Sequence, residues 1–371
     1  MRYRRMPIEI ESPEELGYDS IAHNLSESSV ADRSLDDLGL DLDLGGLTLC
    51  YGDHLGDPVL REHIAAGGRD LRPDDVLVTP GAAAALFGVS TSQLGAGDHA
   101  VVVRTNYATN IETPLAVGAD VEFLDLRFED GYRLDVDRLA GLLRRDTKLV
   151  SITVPHNPTG SMCSRGELAD VIELVERCGA TLLCDETYRD LTHAEPLPLA
   201  AALSDRAVSV ASLSKAYGLP GLRVGWAITR DAELRETLLA AKEQIVICGA
   251  TLDEAIGAAV LAERDRILPP IRDLVADHLH RVSDWVAGED RVEWVRPEGG
   301  VVCFPRIRPD VPVDLGRFYD VLLDRHGTYV GPGHWFDADR RHFRVGFGWP
   351  STADLDAGLA ALSKTLDETC G

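Results

Sequence analysis

Lysine is scarce in this chain of 371 residues, since only four of its 37 basic Lys and Arg residues are lysines. They are Lys148, Lys215, Lys242 and Lys364. An amine can be deprotonated and a guanidinium cannot, so a lysine in an arginine-rich chain is a candidate for amine chemistry. Lys215 is the most promising of the four, because it stands among small hydroxyl residues.

Basic residues are also few relative to acidic ones, which gives a formal net charge of −24. Such a charge would repel phosphates, so neither a nucleic acid nor an anionic membrane is expected as a partner. No run of about 18 apolar residues occurs, which disfavours a membrane span. The basic N-terminus leads into glutamates and lacks the apolar core of a signal peptide. We therefore expect a cytoplasmic protein.

The seven cysteines are scattered and include no C-x-x-C pair. Neither a disulfide framework nor a zinc site follows from them. No recurrent spacing of His, Cys and carboxylate residues predicts any other metal site. A hydrophobic content of 45% excludes wholesale disorder. The length suits about two to three domains, or one large and one small domain.

Short apolar runs rich in β-branched residues alternate with amphipathic stretches between residues 76 and 229. This alternation predicts an α/β fold with a mostly parallel, seven-stranded sheet and right-handed crossovers. The predicted strands, all buried on both faces, are Val76–Thr79, His99–Val103, Asp120–Leu124, Lys148–Val154, Thr181–Cys184, Ala207–Ser212 and Val224–Thr229. The predicted helices between them are Ala82–Leu94, Asn110–Val117, Asp135–Arg144 and Ser164–Cys178.

The C-terminal part predicts a smaller α+β domain. A helical tract from about residue 232 to 286 is expected to break at Pro269-Pro270. Short strands and two helices follow, at Arg291–Val295, Val301–Pro305, Leu315–Arg325 (helix), Thr328–Val330, His342–Phe347 and Thr352–Glu368 (helix). We expect an N-terminal segment (1–48) that packs on the body and the site entrance, a large domain (49–265) and a small domain (266–371).

Unusual polar residues follow four of the predicted strands, at the carboxyl ends where open α/β sheets bind ligands. Pro80-Gly81-Ala82-Ala83 opens a helix whose free amides form a ready anion site. His156-Asn157-Pro158-Thr159-Gly160 carries an amide, although it could be only a turn. Asp185, which could be only a helix cap, is followed three residues later by Tyr188.

The fourth loop is Ser212-Leu213-Ser214-Lys215, with Arg223 eight residues after the lysine. Two serines and an arginine suit a phosphate group. Lysine amines form Schiff bases with carbonyl cofactors, pyridoxal phosphate above all. An incidental surface lysine in a Ser/Gly loop would explain this segment alone, but not the placement of four such loops at one edge of one sheet.

In this order the motifs resemble those of fold type I pyridoxal-phosphate enzymes, the class I/II aminotransferase superfamily. The resemblance extends from about Leu49 to Gly348. It rests on Asn-Pro-Thr-Gly, Asp-x-x-Tyr, Ser-x-Ser-Lys with its arginine, and a late arginine, Arg344, before Val-Gly-Phe-Gly. The resemblance implies pyridoxal 5′-phosphate as the cofactor.

The resemblance also implies a role for each residue around the cofactor ring. Lys215 would form the Schiff base and then move a proton as general base and acid. Asp185 would pair with the pyridine nitrogen and hold its proton there. Tyr188 and Asn157 would hydrogen-bond the phenolic oxygen, and Tyr107 would stack on the ring, unless it is only a core aromatic.

A phosphate site and a substrate site are implied in the same way. Arg344, with Asn157, would bind the substrate α-carboxylate through its planar fork. Tyr51 matches a tyrosine that in relatives reaches the phosphate of the neighbouring subunit, which predicts a homodimer with shared active sites. A solvent-facing turn tyrosine is the other interpretation of Tyr51. The phosphate would be held by Gly81, Ala82, Ala83, Ser212, Ser214 and Arg223.

Two departures from the family pattern are expected near the substrate entrance. The stretch His23-Asn24-Leu25-Ser26-Glu27-Ser28-Ser29 lacks the Asn-Pro signature of many aminotransferases, and His156 stands where asparagine is common. Segments such as Gly-Gly-Val-x-x-Phe-Pro-Arg also resemble capreomycidine-synthase-like enzymes, which cyclise a hydroxylated arginine. His156, His54, Trp335 and Glu27 are candidate pocket residues that the sequence does not rank.

We expect an aminotransferase that moves an amino group from an L-amino acid to a 2-oxo acid by a ping-pong route. The alternative is an amino-acid lyase or cyclase, because the reaction depends on which bond lies perpendicular to the cofactor ring. A cofactor-binding transcription regulator is disfavoured, since residues before 49 leave no room for a DNA-binding domain and the net charge has the wrong sign.

Overall fold

The computed structural model describes residues 1–370. Its N-terminal part consists mainly of extended chain and single turns. A box of reciprocal hydrogen bonds between Ser34 and Asp37 caps one of these turns. The elements are α1 (Pro7–Ile10), α2 (Pro13–Leu16), β1 (His23–Asn24), α3 (Leu35–Leu38) and the longer α4 (Pro58–Ala65).

The central feature is a sheet of seven strands, in the spatial order β2-β8-β7-β6-β5-β3-β4. Those strands are β2 (Val76–Pro80), β3 (His99–Arg104), β4 (Asp120–Asp125), β5 (Thr147–Thr153), β6 (Thr181–Asp185), β7 (Ala207–Ser212) and β8 (Val224–Ile228). Strand β8 runs antiparallel to β2 and β7, and the other pairs are parallel. The predicted α/β fold with a mostly parallel, seven-stranded sheet is confirmed.

Helices connect the parallel strands. Ser164 and Glu167 form a capping box at the start of α8, and Gly179 ends that helix in the left-handed conformation. The bounds of these helices differ from the predicted ones by a few residues at most. They are α5 (Gly81–Gln93), α6 (Ala108–Val117), α7 (Val136–Leu142), α8 (Arg165–Cys178) and α9 (Ala200–Leu203).

The prediction that Asp120–Leu124 is buried on both faces is wrong. Strand β4 lies at the edge of the sheet, and Leu124 is its one buried residue. Asp120 and Glu122 instead pair with Arg144. An edge strand meets solvent along one side, so charged side chains are favourable there.

The expected break at Pro269-Pro270 is also wrong. The tract forms α10 (Ala232–Glu243), α11 (Thr251–Ala262) and α12 (Arg264–Gly288), and both prolines lie inside α12. They are exposed on its outer face, where water can bond the carbonyls that lose their N–H partners. The buried residues Ile267, Leu268 and Ile271 hold this turn against the core.

The C-terminal part is a smaller α+β unit. Its strands, two to four residues long, are shorter than predicted, and β1 pairs with β12, so the N-terminal segment is tied to this unit. The division at residues 48 and 265 remains a prediction. The elements are β9 (Val292–Glu293), β10 (Val302–Cys303), β11 (Arg306–Ile307), α13 (Leu315–Asp324), β12 (Thr328–Tyr329), β13 (Gly331–Pro332), β14 (Phe343–Gly346) and α14 (Thr352–Thr369).

One hydrophobic cluster runs through all three parts of the chain. It includes Leu25 from the N-terminal segment, Leu213 beside the sheet and Phe343 from β14. Within residues 1–370, no helix is long and apolar enough to cross a bilayer. The same residues contain no group of three or more His, Cys, Asp or Glu side chains placed to hold a metal ion.

Candidate active site

A cavity of about 990 Å³ lies at the carboxyl ends of the parallel strands. Its walls include Thr153, Asp185 and Ser212, the last residues of three neighbouring strands. The N-terminal segment contributes ten of the residues 3–15, and all of 26–28, to the walls, and β14 contributes Arg344. The cavity thus lies where the topology of an open α/β sheet predicts a ligand site.

Lys215 projects into this cavity from the loop after β7. Its Nζ donates a hydrogen bond to Oγ of Ser28 at 3.0 Å. Burial lowers the pKa of Lys215, and the charge of Glu27 opposes this shift. A lowered pKa increases the fraction of neutral amine, which is the form that attacks a carbonyl carbon.

Asp185 is 5% exposed and ends β6. Its Oδ1 accepts hydrogen bonds from the amide (3.2 Å) and hydroxyl (2.6 Å) of Thr187, and Oδ2 accepts one from Nδ2 of Asn110 at 3.3 Å. Burial raises the pKa of Asp185, whereas these bonds and the charge of Lys215 lower it. Because the hydrogen-bond donors are neutral, a cationic ring nitrogen would supply the counter-charge that this buried carboxylate lacks.

Arg344 is 3% exposed and is held on two sides. Its Nη1 donates to Oδ1 of Asn157 at 3.1 Å, and its Nη2 donates to the carbonyl of Ser26 at 2.5 Å. Its Nε has no partner in residues 1–370. A buried guanidinium that lines a cavity and has an unpaired donor suits an incoming carboxylate.

Tyr188 is buried and donates its hydroxyl hydrogen to the carbonyl of Ser28 at 2.8 Å. Burial raises the pKa of Tyr188 to about 12, so its hydroxyl stays protonated at neutral pH. Tyr188 and Asn157 therefore lie in the cavity wall and contact protein groups, and their predicted bonds to a phenolic oxygen remain predictions. Tyr107 and Trp335 also line the cavity.

An anion site is formed where α5 begins close to β8. Gly81 starts the helix with a φ of +79°, and the first-turn amides of Gly81, Ala82 and Ala83 have no partners within the helix. A Cβ on Gly81 would lie 2.6 Å from Nη2 of Arg223, and a Cβ on Gly225 would lie 2.3 Å from the carbonyl carbon of Gly81. Glycine is therefore required at both positions.

Arg223 lies over this helix terminus. Its Nη1 donates only to the carbonyl of Pro220, at 2.9 Å, and no carboxylate in the described chain pairs with it. Ser212 and Ser214 are buried and also line the cavity. A cationic side chain, free helix amides and two hydroxyls fit a phosphate. These residues fit the phosphate of pyridoxal 5′-phosphate, while Lys215 fits its aldehyde and Asp185 fits its ring nitrogen.

Three candidate residues lie outside the cavity. Tyr51 is 81% exposed and does not line it. His54 is exposed and hydrogen-bonds Glu243 at 2.5 Å. His156, which was expected near the substrate entrance, is buried and bonds the Thr105 carbonyl at 2.7 Å. Burial lowers the pKa of His156 to about 4, so it is a neutral structural residue.

Four residues of the site were not predicted: Ser26, Ser28, Asn110 and Thr187. Asn110 meets Asp185 across 75 positions of sequence, and Ser28 meets Lys215 across 187. No local pattern reports such distant contacts. The one signal was the stretch around Ser26 and Ser28, which stood out only because it departs from the Asn-Pro signature.

Comparison with known proteins identifies a family and several relatives of this chain. The family model "Aminotransferase class I and II" matches residues 27–362. Capreomycidine synthase from Streptomyces vinaceus is 35% identical over 85% of this chain and 80% of its own. Arginine–pyruvate transaminase AruH from Pseudomonas aeruginosa is 30% identical over 86% of this chain and 80% of its own.

Two solved structures are similar over almost their whole length. A PLP-dependent aminotransferase from Streptococcus suis 89-1591 has a TM-score of 0.92 at 28% identity and 99% coverage of both chains. The PLP-dependent cyclase OrfR has a TM-score of 0.90 at 32% identity, with 99% of this chain and 98% of OrfR covered. The fold and the cavity define an enzyme of PLP fold type I, which uses pyridoxal 5′-phosphate. The chain belongs to the class I and II aminotransferase family.

Proposed function

We propose that this enzyme is an aminotransferase, which transfers the amino group of an L-amino acid to a 2-oxo acid. The observation that supports this best is a cavity that combines a lysine amine of lowered pKa with a buried arginine whose Nε is free. Bound pyridoxal 5′-phosphate supplies an aldehyde that captures amines and a ring that takes up electrons from the substrate Cα.

The chain's own residues would orient the substrate. Arg344 binds its α-carboxylate, and Asn157, 3.1 Å from the guanidinium, fixes the plane of the fork. With the amino acid held at this end, its Cα–H is directed towards Lys215. The neutral amine of Lys215 would act as general base on the Cα proton and then, as general acid, would deliver that proton to the cofactor carbon that had carried the aldehyde.

The remaining residues would hold charge and protons in place. Asp185 keeps a proton on the ring nitrogen, because a cation is the partner that a buried carboxylate favours. Arg223 and the first amides of α5 neutralise the phosphate. Tyr188 and Asn157 donate to the phenolic oxygen, and Tyr107 stacks on the ring. Ser28, 3.0 Å from Nζ, holds the free lysine amine within the cavity.

Cyclisation or elimination is the second candidate function. Two of the similar proteins are named as a capreomycidine synthase and a PLP-dependent cyclase, at 35% and 32% identity. The same cavity would serve both reactions, because the cofactor stabilises negative charge at Cα whichever bond breaks next. The reaction then depends on the substrate and on its orientation.

Incubation with single amino acids, with and without a 2-oxo acid, tests the reaction type. A transaminase should convert its cofactor stoichiometrically to the pyridoxamine form, and addition of pyruvate or 2-oxoglutarate should restore the original spectrum. Continued turnover without an acceptor would contradict transamination and support the lyase or cyclase.

We also propose that the enzyme works as a homodimer with shared sites. The segment 49–59 contacts the region 245–254, where the Thr251 hydroxyl bonds the Cys50 carbonyl at 2.8 Å. Large hydrophobic side chains are exposed around this contact: Leu49, Tyr51, Val59, Ile245, Ile247 and Leu252. An apolar patch of this kind suits a subunit interface, and it would bring Tyr51 to the partner.

A further inference from the structure

Seven charged side chains line the cavity without a role in the proposed chemistry. Four of them form two ion pairs: Arg4 with Glu112 at 2.7 Å and Arg5 with Glu15 at 2.6 Å. The other three have no basic partner in residues 1–370. We call them the acidic wall: Glu9, Glu14 and Glu27.

Two members of the acidic wall act on the reacting centre through their charge. Burial lowers the pKa of Lys215, and the charges of Glu27 and Glu14 oppose that shift. Burial also lowers the pKa of Arg344, and Glu27 opposes this shift as well. The wall lines the same cavity as the amine and the carboxylate-binding arginine.

Glu27 is the member of the wall that is best fixed. It is half-buried, and its neighbours in sequence are the residues whose oxygens accept hydrogen bonds from Arg344 and Lys215. Tyr18 donates its hydroxyl hydrogen to Oε1 of Glu27 at 2.9 Å. The ring of Tyr18 is itself stacked on Trp349, with 6.1 Å between centroids. The carboxylate of Glu27 is thus held in place by the neutral hydroxyl of Tyr18 and forms no ion pair within residues 1–370.

A second, independent feature indicates how a ligand would lie. Arg344, 3% exposed, has a free Nε and lines the same cavity. An amino acid with its carboxylate at Arg344 and its amino group beside Lys215 is fixed at both reacting ends. Its side chain must then extend into the rest of the cavity, where the acidic wall lies.

We infer that the substrate side chain ends in a positive charge, as an ammonium or guanidinium group, and that Glu27 binds it. This inference rests on the proposed function, which places an amino acid at Lys215 and Arg344. A half-buried carboxylate loses hydration when a substrate enters. A cationic partner compensates for the lost hydration free energy through charge-assisted hydrogen bonds. A neutral side chain would not compensate for this loss, and an acidic side chain would be repelled by the three carboxylates of the acidic wall.

Titration of the holoenzyme with L-arginine, L-citrulline and L-glutamate tests this inference. Citrulline has almost the shape of arginine but carries a neutral urea. Half-saturating concentrations are taken from the first absorbance change of the bound cofactor and, independently, from the rise in melting temperature. We expect the half-saturating concentration of arginine to be about tenfold or more below that of citrulline. A ratio of this size corresponds to one charge-assisted hydrogen bond. Glutamate should be the weakest of the three.

The variant Glu27→Gln should bring the arginine-to-citrulline ratio close to one, mainly by weakening arginine. Tyr18→Phe, which leaves the carboxylate but removes its anchor, should lower the ratio by a smaller factor and serves if Glu27→Gln folds poorly. The matched control is Glu173→Gln, an exposed residue of α8 that does not line the cavity. It should leave the ratio as in the wild type.

Equal half-saturation by arginine and citrulline in the wild type would overturn the inference, and so would an unchanged ratio in a folded Glu27→Gln. In either case the amino acids would still change the cofactor spectrum, so the proposed function would stand. If no amino acid of a broad panel changed the spectrum, both the proposed function and this inference would be overturned.

Discussion

Burial alters the ionisation of the reactive side chains, residue by residue. It lowers the pKa of Lys215 and raises the pKa values of Asp185 and Glu186, which all lie at the carboxyl ends of the parallel strands. Lys215 and Asp185 line the cavity, so their shifted pKa values can affect a bound cofactor. Sequence motifs identified both residues, but the shifts depend on neighbours that are distant in sequence, such as Asn110 for Asp185 and Glu27 for Lys215.

Replacement of Lys215 by alanine tests the central residue. Borohydride reduction of the wild-type holoenzyme should fix a pyridoxyl group on the peptide that contains Lys215, as found by mass spectrometry. Lys215→Ala should lose this label and all turnover, because no other amine lines the cavity. Its melting temperature should stay near that of the wild-type apoenzyme. A label on Lys148, Lys242 or Lys364 would show that the assignment is wrong.

Glu186 should make the stability of the protein depend on pH. It accepts a hydrogen bond from the Ala200 amide at 3.0 Å, but its Oε2 has no partner, and burial raises its pKa to about 7. The folded pKa exceeds the unfolded value of about 4.3. The contribution of Glu186 to stability is therefore full below about pH 4 and is lost as the pH rises through 7.

The variant Glu186→Gln keeps the acceptor for Ala200 but cannot ionise. Its stability relative to the wild type should increase by up to roughly 3 kcal/mol between pH 4 and pH 8, since one pKa unit corresponds to about 1.4 kcal/mol. Urea unfolding of the apoenzyme at several pH values measures this difference. Glu173→Gln, on the exposed face of α8, should show no such trend, and a pH-independent difference for Glu186→Gln would contradict the prediction.

At the scale of elements, the anion site depends on how closely α5 approaches β8. Gly225 lies so near the start of α5 that a Cβ would be 2.5 Å from the amide nitrogen of Ala82. Gly221, in the same loop as Arg223, has nothing within 4 Å of an added Cβ. Replacing each glycine by alanine therefore distinguishes a steric clash, expected only at Gly225, from a general effect of replacing glycine.

Gly225→Ala should push β8 away from the helix and weaken cofactor binding by about tenfold or more, with a lower melting temperature. Gly221→Ala should leave both quantities near their wild-type values. Equilibrium dialysis of the apoenzyme against pyridoxal 5′-phosphate gives the dissociation constants. Similar losses for the two variants would refute the steric explanation of the anion site.

Sequence patterns predicted the central strands of the sheet correctly. They failed for elements whose environment depends on where the element lies in the folded molecule. The apolar runs of β5, β6 and β7 form central strands as expected. The run at Asp120–Leu124 has carboxylates at alternate positions, Asp120 and Glu122, and it forms an edge strand. The prediction that it is buried on both faces gave too little weight to these charges. Pro269 and Pro270 failed to break α12, since both lie on its exposed side.

The cavity is assembled by the molecule as a whole. Ser28 comes from the N-terminal segment, Lys215 from the central sheet and Arg344 from β14. The hydrophobic cluster that joins these parts fixes their mutual positions. The partner subunit would add Tyr51, which is exposed and outside the cavity of its own chain.

Light scattering after gel filtration should give the mass of a dimer, about twice 40.3 kDa. Ile245→Asp, which puts a charge in the exposed apolar patch, should produce monomers that bind pyridoxal 5′-phosphate more weakly. Leu203→Asp, at an exposed leucine away from the patch, is the control and should remain dimeric. A monomeric wild type with full cofactor affinity would contradict the proposal.

A mixed dimer tests whether sites are shared. One subunit carries Tyr51→Phe and the other Lys215→Ala. If Tyr51 serves its partner, the site with an intact lysine also receives an intact tyrosine, so the mixed dimer should regain wild-type cofactor affinity at half of its sites. If each site used its own Tyr51, the sites that keep Lys215 would bind the cofactor no more tightly than the Tyr51→Phe enzyme, and the other sites would behave like the Lys215→Ala enzyme.

Short stretches of the sequence encode the alternating α/β pattern, the order of the loops after the strands, and the residue types that match a pyridoxal-phosphate enzyme. Those features are local, because period, turn residues and short motifs act within a few positions. Three features become visible only in the folded chain: His156 is buried outside the cavity, Ser28 accepts a hydrogen bond from Lys215, and Glu27 lines the cavity with no basic partner among residues 1–370. These depend on contacts between distant parts of the chain, which form when the hydrophobic core brings the N-terminal segment over the sheet.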